Sequence, residues 1–535
     1  MTPIGKTLPC PSASSHCKRK FLRSFDGLLA AFTLAGLAFA APAVHAASYT
    51  WTPLTAGPFN WNNASSQNNW TSGFPNALAD VANMSVNLSA NQTVNLNQAI
   101  TVGTLTIGDN NGTQTVTLAP NGGSLIFDVS SGTASLNRSS AGTGATTVSS
   151  NTTLNDNLVV KLAGGSASST MTLSGIISES GGAKSLTKDS STLTLALTGA
   201  NTFSGGVIIK NGTLESRTTT TTLGSGTATM GGAGSTGATY LTGQSNSNRF
   251  VINAPDSGNI VIGANGAGSG FTMSGGITLN GNLTLQTYDN PISGSTKASS
   301  ILTGGVTGTG NLLLNNLGLA ANVITISGTS VNHTGTITLS GTAATGDTTI
   351  SAPIGSNVTG ITQSSTTSRL VLSGSNTYAC DLTISAGTVR ISNNSNTAND
   401  VSTITIASGG TLDLNYSGTD RVKKLIINGL EQPSGVYGPS ATNIAQITGT
   451  GTLTVGAPEI VVEDDMGANI ASNDSKDYGT VGLGLEKSLT FTLRNIGLGD
   501  LFLTGEPLVA IDGAHKDEFT VTASPTATIA AAGTA

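Results

Sequence analysis

Between about residues 91 and 456 one short unit keeps returning: a few residues of alternating aliphatic and Thr, Ser or Asn side chains, broken by Gly or Asn-Gly. Ala99-Ile100-Thr101-Val102-Gly103-Thr104-Leu105-Thr106-Ile107-Gly108 is one instance, and Gly276-Ile277-Thr278-Leu279-Asn280-Gly281-Asn282-Leu283-Thr284-Leu285 is another. An alternation of period two puts Ile, Leu and Val on one face of a strand and the hydroxyls on the other. Gly and Asn at the breaks tolerate the positive φ of tight turns. No stretch here carries a capped apolar period of 3.6, so no helix is expected beyond the N-terminal segment.

Many short strands build a sandwich, a barrel or a solenoid. The region is longer than one sandwich or barrel core organises well. Its repetition instead favours stacking, in which each unit buries its apolar face against its neighbours. Coils of roughly 20 residues are expected, with Thr and Asn forming ladders outside and, at 4% aromatic residues, a narrow core without room for rings. Gly is 69 of 535 residues and only 9% are charged. Disorder is excluded by the 37% hydrophobic content and by a net charge of only -6, because disordered chains pair low hydrophobicity with high charge. Scattered Lys and Arg give no basic stripe for nucleic acid.

The N-terminus speaks to the compartment. Lys18, Arg19, Lys20 and Arg23 precede an apolar run from Leu28 to Ala41, and Val44-His45-Ala46 offers small residues at the cleavage positions. Residues 1–46 therefore read as a secretory signal peptide. No later segment is long and apolar enough for a membrane-spanning helix. Cleavage would remove Cys10, Cys17, His16 and His45, leaving Cys380, His333 and His515. A cysteine zinc site and an internal disulfide are then impossible. All three tryptophans, Trp51, Trp61 and Trp70, lie within 47–90 among Asn residues. This region reads as a cap over the solenoid's open end, the alternative being an exposed carbohydrate platform.

One internal repeat is close. Leu195, Leu197, Gly199, Asn201, Phe203, Val207, Ile209 and Gly212 recur at one constant offset as Leu370, Leu372, Gly374, Asn376, Tyr378, Leu382, Ile384 and Gly387. The expected order is strand, Gly turn, an Asn in the left-handed region, an aromatic plug, strand, Gly turn, strand. The first copy adds Gly205-Gly206, where the second has Cys380-Asp381. The two copies, within 185–214 and 368–391, resemble the autotransporter-associated β-strand repeat, also called the passenger-associated transport repeat. That resemblance implies a right-handed parallel β-helix of the pectin-lyase-like kind, carried by secretion machinery to the outside or the outer surface of a Gram-negative-type bacterium. It also marks Gly199, Asn201, Phe203, Gly205, Gly206, Gly212, Gly374, Asn376, Tyr378 and Gly387 as structural repeat positions.

From 457 to 535 the composition turns acidic. Asp477-Tyr478-Gly479-Thr480-Val481, Leu489-Thr490-Phe491-Thr492-Leu493-Arg494-Asn495-Ile496-Gly497 and Asp517-Glu518-Phe519-Thr520-Val521 follow in order. This series resembles the Ig-like domain of choice-of-anchor D and Hydin-like proteins, which implies a β-sandwich. The series stops before that family's last strands, so a partial, truncated sandwich is expected.

Little points to catalysis. Asp109, Asp128, Asp156, Asp256, Asp289, Asp381 and Asp413 are spaced singly beside turns, whereas glycoside hydrolysis needs a facing pair of carboxylates. No nucleophile elbow or calcium repeat occurs, and Gly-rich turns without a following helix cradle no phosphate. No cofactor is implied. Glu463, Asp464, Asp465, Asp474 and Asp477 are the weak candidates for calcium, against a solvated acidic loop. The expectation is a non-catalytic structural or adhesin-like surface protein with polysaccharide or cell-surface ligands. A β-helix polysaccharide lyase or glycoside hydrolase and an inert spacer are the alternatives.

Overall fold

The computed structural model describes residues 46–535 except 64–68, 140–141, 165–168, 265–270, 288–298, 318–322, 343–345, 394–400, 440–443, 457 and 532. The signal segment, apart from Ala46, lies outside the described residues, as does Asp289. The described chain is all-β: a long parallel β-helix followed by small antiparallel sheets. Its one helical element is a 3-10 turn at Lys516–Glu518, where none was expected.

The alternating pattern forms the faces of the coil. One column of in-register parallel strands starts at Phe59–Asn60 and reaches Lys424–Ile427. A second column starts at Ser48–Thr50 and reaches Val306–Gly308, then continues as single bridges through Val331 to Ile354. The two columns merge because Leu186–Leu197 and Val207–Ser216 are long strands that run across both faces. A third face is split into two sheets, from Ile100–Val102 to Ile177–Glu179 and from Phe271–Met273 to Ile447–Gly449.

Inward aliphatics stack into one continuous core, exemplified by Leu118, Val148, Leu173 and Leu197 in register. The core also takes rings. Phe127, Phe250 and Phe271 are fully buried, and Phe250 and Phe271 stand in register with Ala228 and Ser300. A small side chain one coil away makes the room that overall aromatic content did not reveal. Outside, hydroxyls align, as in Thr170, Thr194, Thr213 and Thr239. Asn280 also hydrogen-bonds Asn253 at 3.0 Å. Most coils are longer than the expected ~20 residues: paired residues on adjacent coils lie from 19 (Leu195 and Leu214) to 35 (Phe59 and Val94) positions apart. Turns that carry no strand absorb the difference.

Both ends are closed by antiparallel returns, which keeps open strand edges from pairing with other chains. At the N-terminal end no break falls near residue 90, since strands from Ser48 onward already belong to the ladder. Trp51 bridges Trp70 in antiparallel fashion, and Thr71 N–H donates to the Thr50 carbonyl at 3.0 Å. At the other end Leu430–Glu431 turns back on Lys424–Ile427 through Asn428-Gly429, whose φ values of 53° and 79° suit a two-residue hairpin turn. Gly435–Tyr437 likewise lies antiparallel to Thr452–Val455.

The C-terminal stretch departs from a sandwich. Its described strands form two pieces, Ile460–Glu463 between Asn469–Ile470 and Thr492–Asn495, and Leu501–Phe502 with Thr528–Ile529. Of the Ig-like motif elements, 477–481 forms no strand and Asp517-Glu518 falls in the 3-10 turn. Tyr478 and Phe519 pack edge-on at 5.5 Å, but Met466, Leu483, Leu485 and Phe502 are exposed. Two-stranded and three-stranded pieces without a facing sheet have nowhere to bury alternate side chains.

Candidate functional site

The two repeat copies are the most specific feature of the chain, and they are built alike. In the first, Leu195 and Leu197 point into the core, and a Cβ on Gly199 would strike the carbonyl of Gly175 on the coil below. In the second, Gly374 stands equally close to the carbonyl of Ala352. The chain then leaves the ladder, and asparagine replaces the missing strand. Asn201 Oδ1 accepts from Ile177 N–H at 2.8 Å while its amide donates to the Thr222 carbonyl at 2.6 Å, spanning the coils on either side. Asn376 Oδ1 accepts from Ile354 N–H at 2.9 Å. Neither asparagine has a positive φ. They were expected as left-handed turn residues and serve instead as buried hydrogen-bond bridges, because an unpaired buried backbone N–H is costly.

Phe203 and Tyr378 follow, each wholly buried. Burial raises the phenol pKa of Tyr378 above its ordinary value, with Cys380 and Asp420 adding to the shift. Gly205 abuts the backbone of Lys184, and Gly206 has φ +86°. The second copy places Cys380 and Asp381 there: the thiol is half-buried, its pKa pushed up to about 11 chiefly by burial, and Asp381 caps Thr403 N–H at 3.0 Å. Gly212 and Gly387 close the repeats with φ of +74° and +64°.

Beneath these last glycines lies a pair that pattern reading missed. Lys188 is fully buried, and its ammonium donates to the carbonyls of Ser190 at 2.6 Å and Asn211 at 2.7 Å. It sits where the ladder of strand Leu186–Leu197 slips register. Burial pulls its pKa down to about 7, with Asp189 opposing the shift. At the same repeat offset the second copy has Gln363, also fully buried, whose amide donates to the carbonyls of Ser368 at 2.7 Å and Thr388 at 3.1 Å. A Cβ on Gly212 would stand 2.9 Å from Lys188 Nζ, and one on Gly387 3.4 Å from Gln363 Nε2. Constant spacing from the repeat leucines was the available signal.

The copies do not stack in one column. Val207 lies on a register line to Ala228 and Phe250, whereas its counterpart Leu382 lies on the line through Leu283, Leu312, Ile337 and Ile361. The second copy is rotated by one face of the coil.

The other candidates have structural partners. Trp51, Trp61 and Trp70 are buried, with their indole N–H groups on Gln92, the Pro75 carbonyl and the Trp61 carbonyl, each at 3.0 Å. They form the floor of the first coil, and the exposed platform is excluded. Asp109 is buried and holds the N–H groups of Leu88 and Gln114, both at 3.1 Å. Asp128 accepts from Asn155, Asp156 from Val129 N–H, and Asp256 from Gly234 N–H. Asp413 pairs with Arg390 at 2.6 Å. In the acidic stretch the Lys476 ammonium sits between Asp464 and Asp465, and Glu463 pairs with Arg494. Asp474 caps Ala471 N–H and Asp477 caps Gly479 N–H. No group of three or more His, Cys, Asp or Glu placed to hold a metal ion occurs among the described residues. His333 is buried, which lowers its pKa, and its Nδ1 has no partner; His515 is exposed beside Glu518.

The fold and these motifs define a parallel β-helix with two transport-associated repeats. The passenger-associated-transport-repeat family model matches residues 188–215 and 367–391. The repeat accompanies autotransporter passengers, which ties the chain to exported β-helices of that kind. No curated protein and no solved structure matches the chain.

Proposed function

We propose that this chain is an exported, surface-displayed β-helical passenger with a structural and adhesive role and no catalytic activity. The observation that carries the reading is the pair of repeats set into an unbroken parallel ladder. A stacked coil with both ends closed gives a stiff body whose outer faces repeat hydroxyl and amide groups. Such a surface suits many weak hydrogen bonds to polysaccharide or to another cell's glycans. The carboxylates with resolved partners hold turns or ion pairs, which leaves them poorly placed for acid–base work.

The test uses the chain from Ala47 to Ala535, applied to a panel of cells and polysaccharides and to reducing-end assays on pectin-like and alginate-like polymers. Binding without turnover is the expected result. Robust turnover would overturn the reading in favour of a lyase or hydrolase, and absence of any binding would leave a spacer.

A further inference from the structure

We infer that a shallow trough headed by Arg249 binds the carboxylate of a uronate-bearing saccharide; this rests on the adhesive reading above and gives it a place and a ligand class. The trough holds about 180 Å³ on the outer side of four successive coils. Arg249 is exposed and is the one charged side chain lining it. Its guanidinium reaches across to donate to Thr278 Oγ1 at 2.8 Å, and among the described residues no carboxylate pairs with it. By contrast Arg217, Arg369, Arg390 and Arg494 all have carboxylate partners. An exposed guanidinium keeps a planar fork of donors that matches a carboxylate edge.

The floor is open because two glycines occupy the positions beside Arg249 on the following coils. Gly305 has φ +83°, which its turn requires, but Gly276 has no positive φ. A Cβ there would meet only the Gly304 carbonyl, at 3.2 Å. Glycine at 276 spares that close backbone contact and leaves the trough open. Thr278 and Thr307, in register on adjacent strands, and Ser330 line the rest with hydroxyls. Hydroxyls at the ~4.8 Å strand spacing, each able to donate and accept, complement the hydroxyls of a sugar ring. One cation and several hydroxyls, with no aromatic ring, fit an acidic sugar better than an apolar ligand.

The experiment titrates the chain from Ala47 to Ala535 with oligogalacturonate, neutral dextran and dextran sulfate, alongside Arg249→Ala, Arg249→Lys and Gly276→Val. Oligogalacturonate should bind the unmodified chain. Arg249→Ala should weaken it at least about tenfold, the loss of one charge-assisted pair, and Arg249→Lys should restore part of the affinity. Gly276→Val should weaken binding by filling the floor, and far-UV circular dichroism should show that all variants keep the β-helix. Equal affinity of Arg249→Ala and the unmodified chain would overturn the assignment, as would equal binding of dextran sulfate. If neutral glycans or cells bind while Arg249→Ala has no effect, the trough is wrong and the adhesive reading stands; if nothing binds, both fall.

Discussion

The first repeat buries a lysine where the second buries a glutamine, and both side chains do the same work. Each donates twice to backbone carbonyls, one on its own coil and one on the next. What the motif conserves is therefore a buried nitrogen donor under a glycine, not a charge. The aromatic plug varies in the same way, Phe203 against Tyr378, with burial complete in both. The glycine pair varies most. Where Gly205 presses on the backbone of Lys184, the second copy has room for a cysteine side chain. The two copies thus share what fills and satisfies the core and differ where the turn meets solvent.

The comparison yields predictions that decrease in size. A long repeat array need not unfold as one unit, so local hydrogen exchange at each copy is the appropriate measurement. Phe203→Ala and Tyr378→Ala should each lower local stability by about 3–5 kcal/mol; a loss at only one copy would break the equivalence of the plugs. Next comes pH. Lys188 has a folded-state pKa near 7, below its ordinary 10.5, so the unfolded chain binds the extra proton between these values. Stability of the first copy should be lowest below pH 7 and rise toward pH 10, by on the order of 4 kcal/mol. Lys188→Gln should flatten that profile, while the second copy, with Gln363, should show no such rise. A first copy indifferent to pH would mean that its lysine is hydrated.

Asn201→Ala and Asn376→Ala should each cost about 1–3 kcal/mol by orphaning the N–H of Ile177 or Ile354. Their amide protons should lose protection before those of neighbouring strands. The smallest contrast is at the turn. Gly205→Ala should destabilise by about 1–3 kcal/mol because its Cβ meets backbone, whereas Cys380→Ala should cost less than about 1.5 kcal/mol. Equal costs would show that the two turns share one backbone path after all.

Much of the fold was legible because a period of two is a direct readout of which face a residue takes. Runs such as Leu283-Thr284-Leu285 say strand, inward, outward, inward, and the structure agrees. The repeat glycines were legible for the same local reason. Asn201 was not, since asparagine in a Gly-rich turn looks the same whether it takes a left-handed φ or bridges two coils. Lys188 and Arg138 stayed hidden because a charged residue in an alternating run reads as outward. Arg138 is nevertheless buried, donating to the carbonyls of Ser139 and Gly144. The Ig-like motif series showed the reverse failure: strand-like sequence at 477–481 and 517–521 that forms no strand.

The sequence by itself determined that this chain would be a stacked β-helix with two copies of one repeat, because alternation and turn chemistry act within a few residues. Tertiary structure alone decided the rest: that the second copy is turned by one face, and that a buried cation and a buried amide hold equivalent carbonyls. Those outcomes depend on which residues meet between coils, from 19 to 35 positions apart. Turn lengths set that register, and no local pattern encodes it.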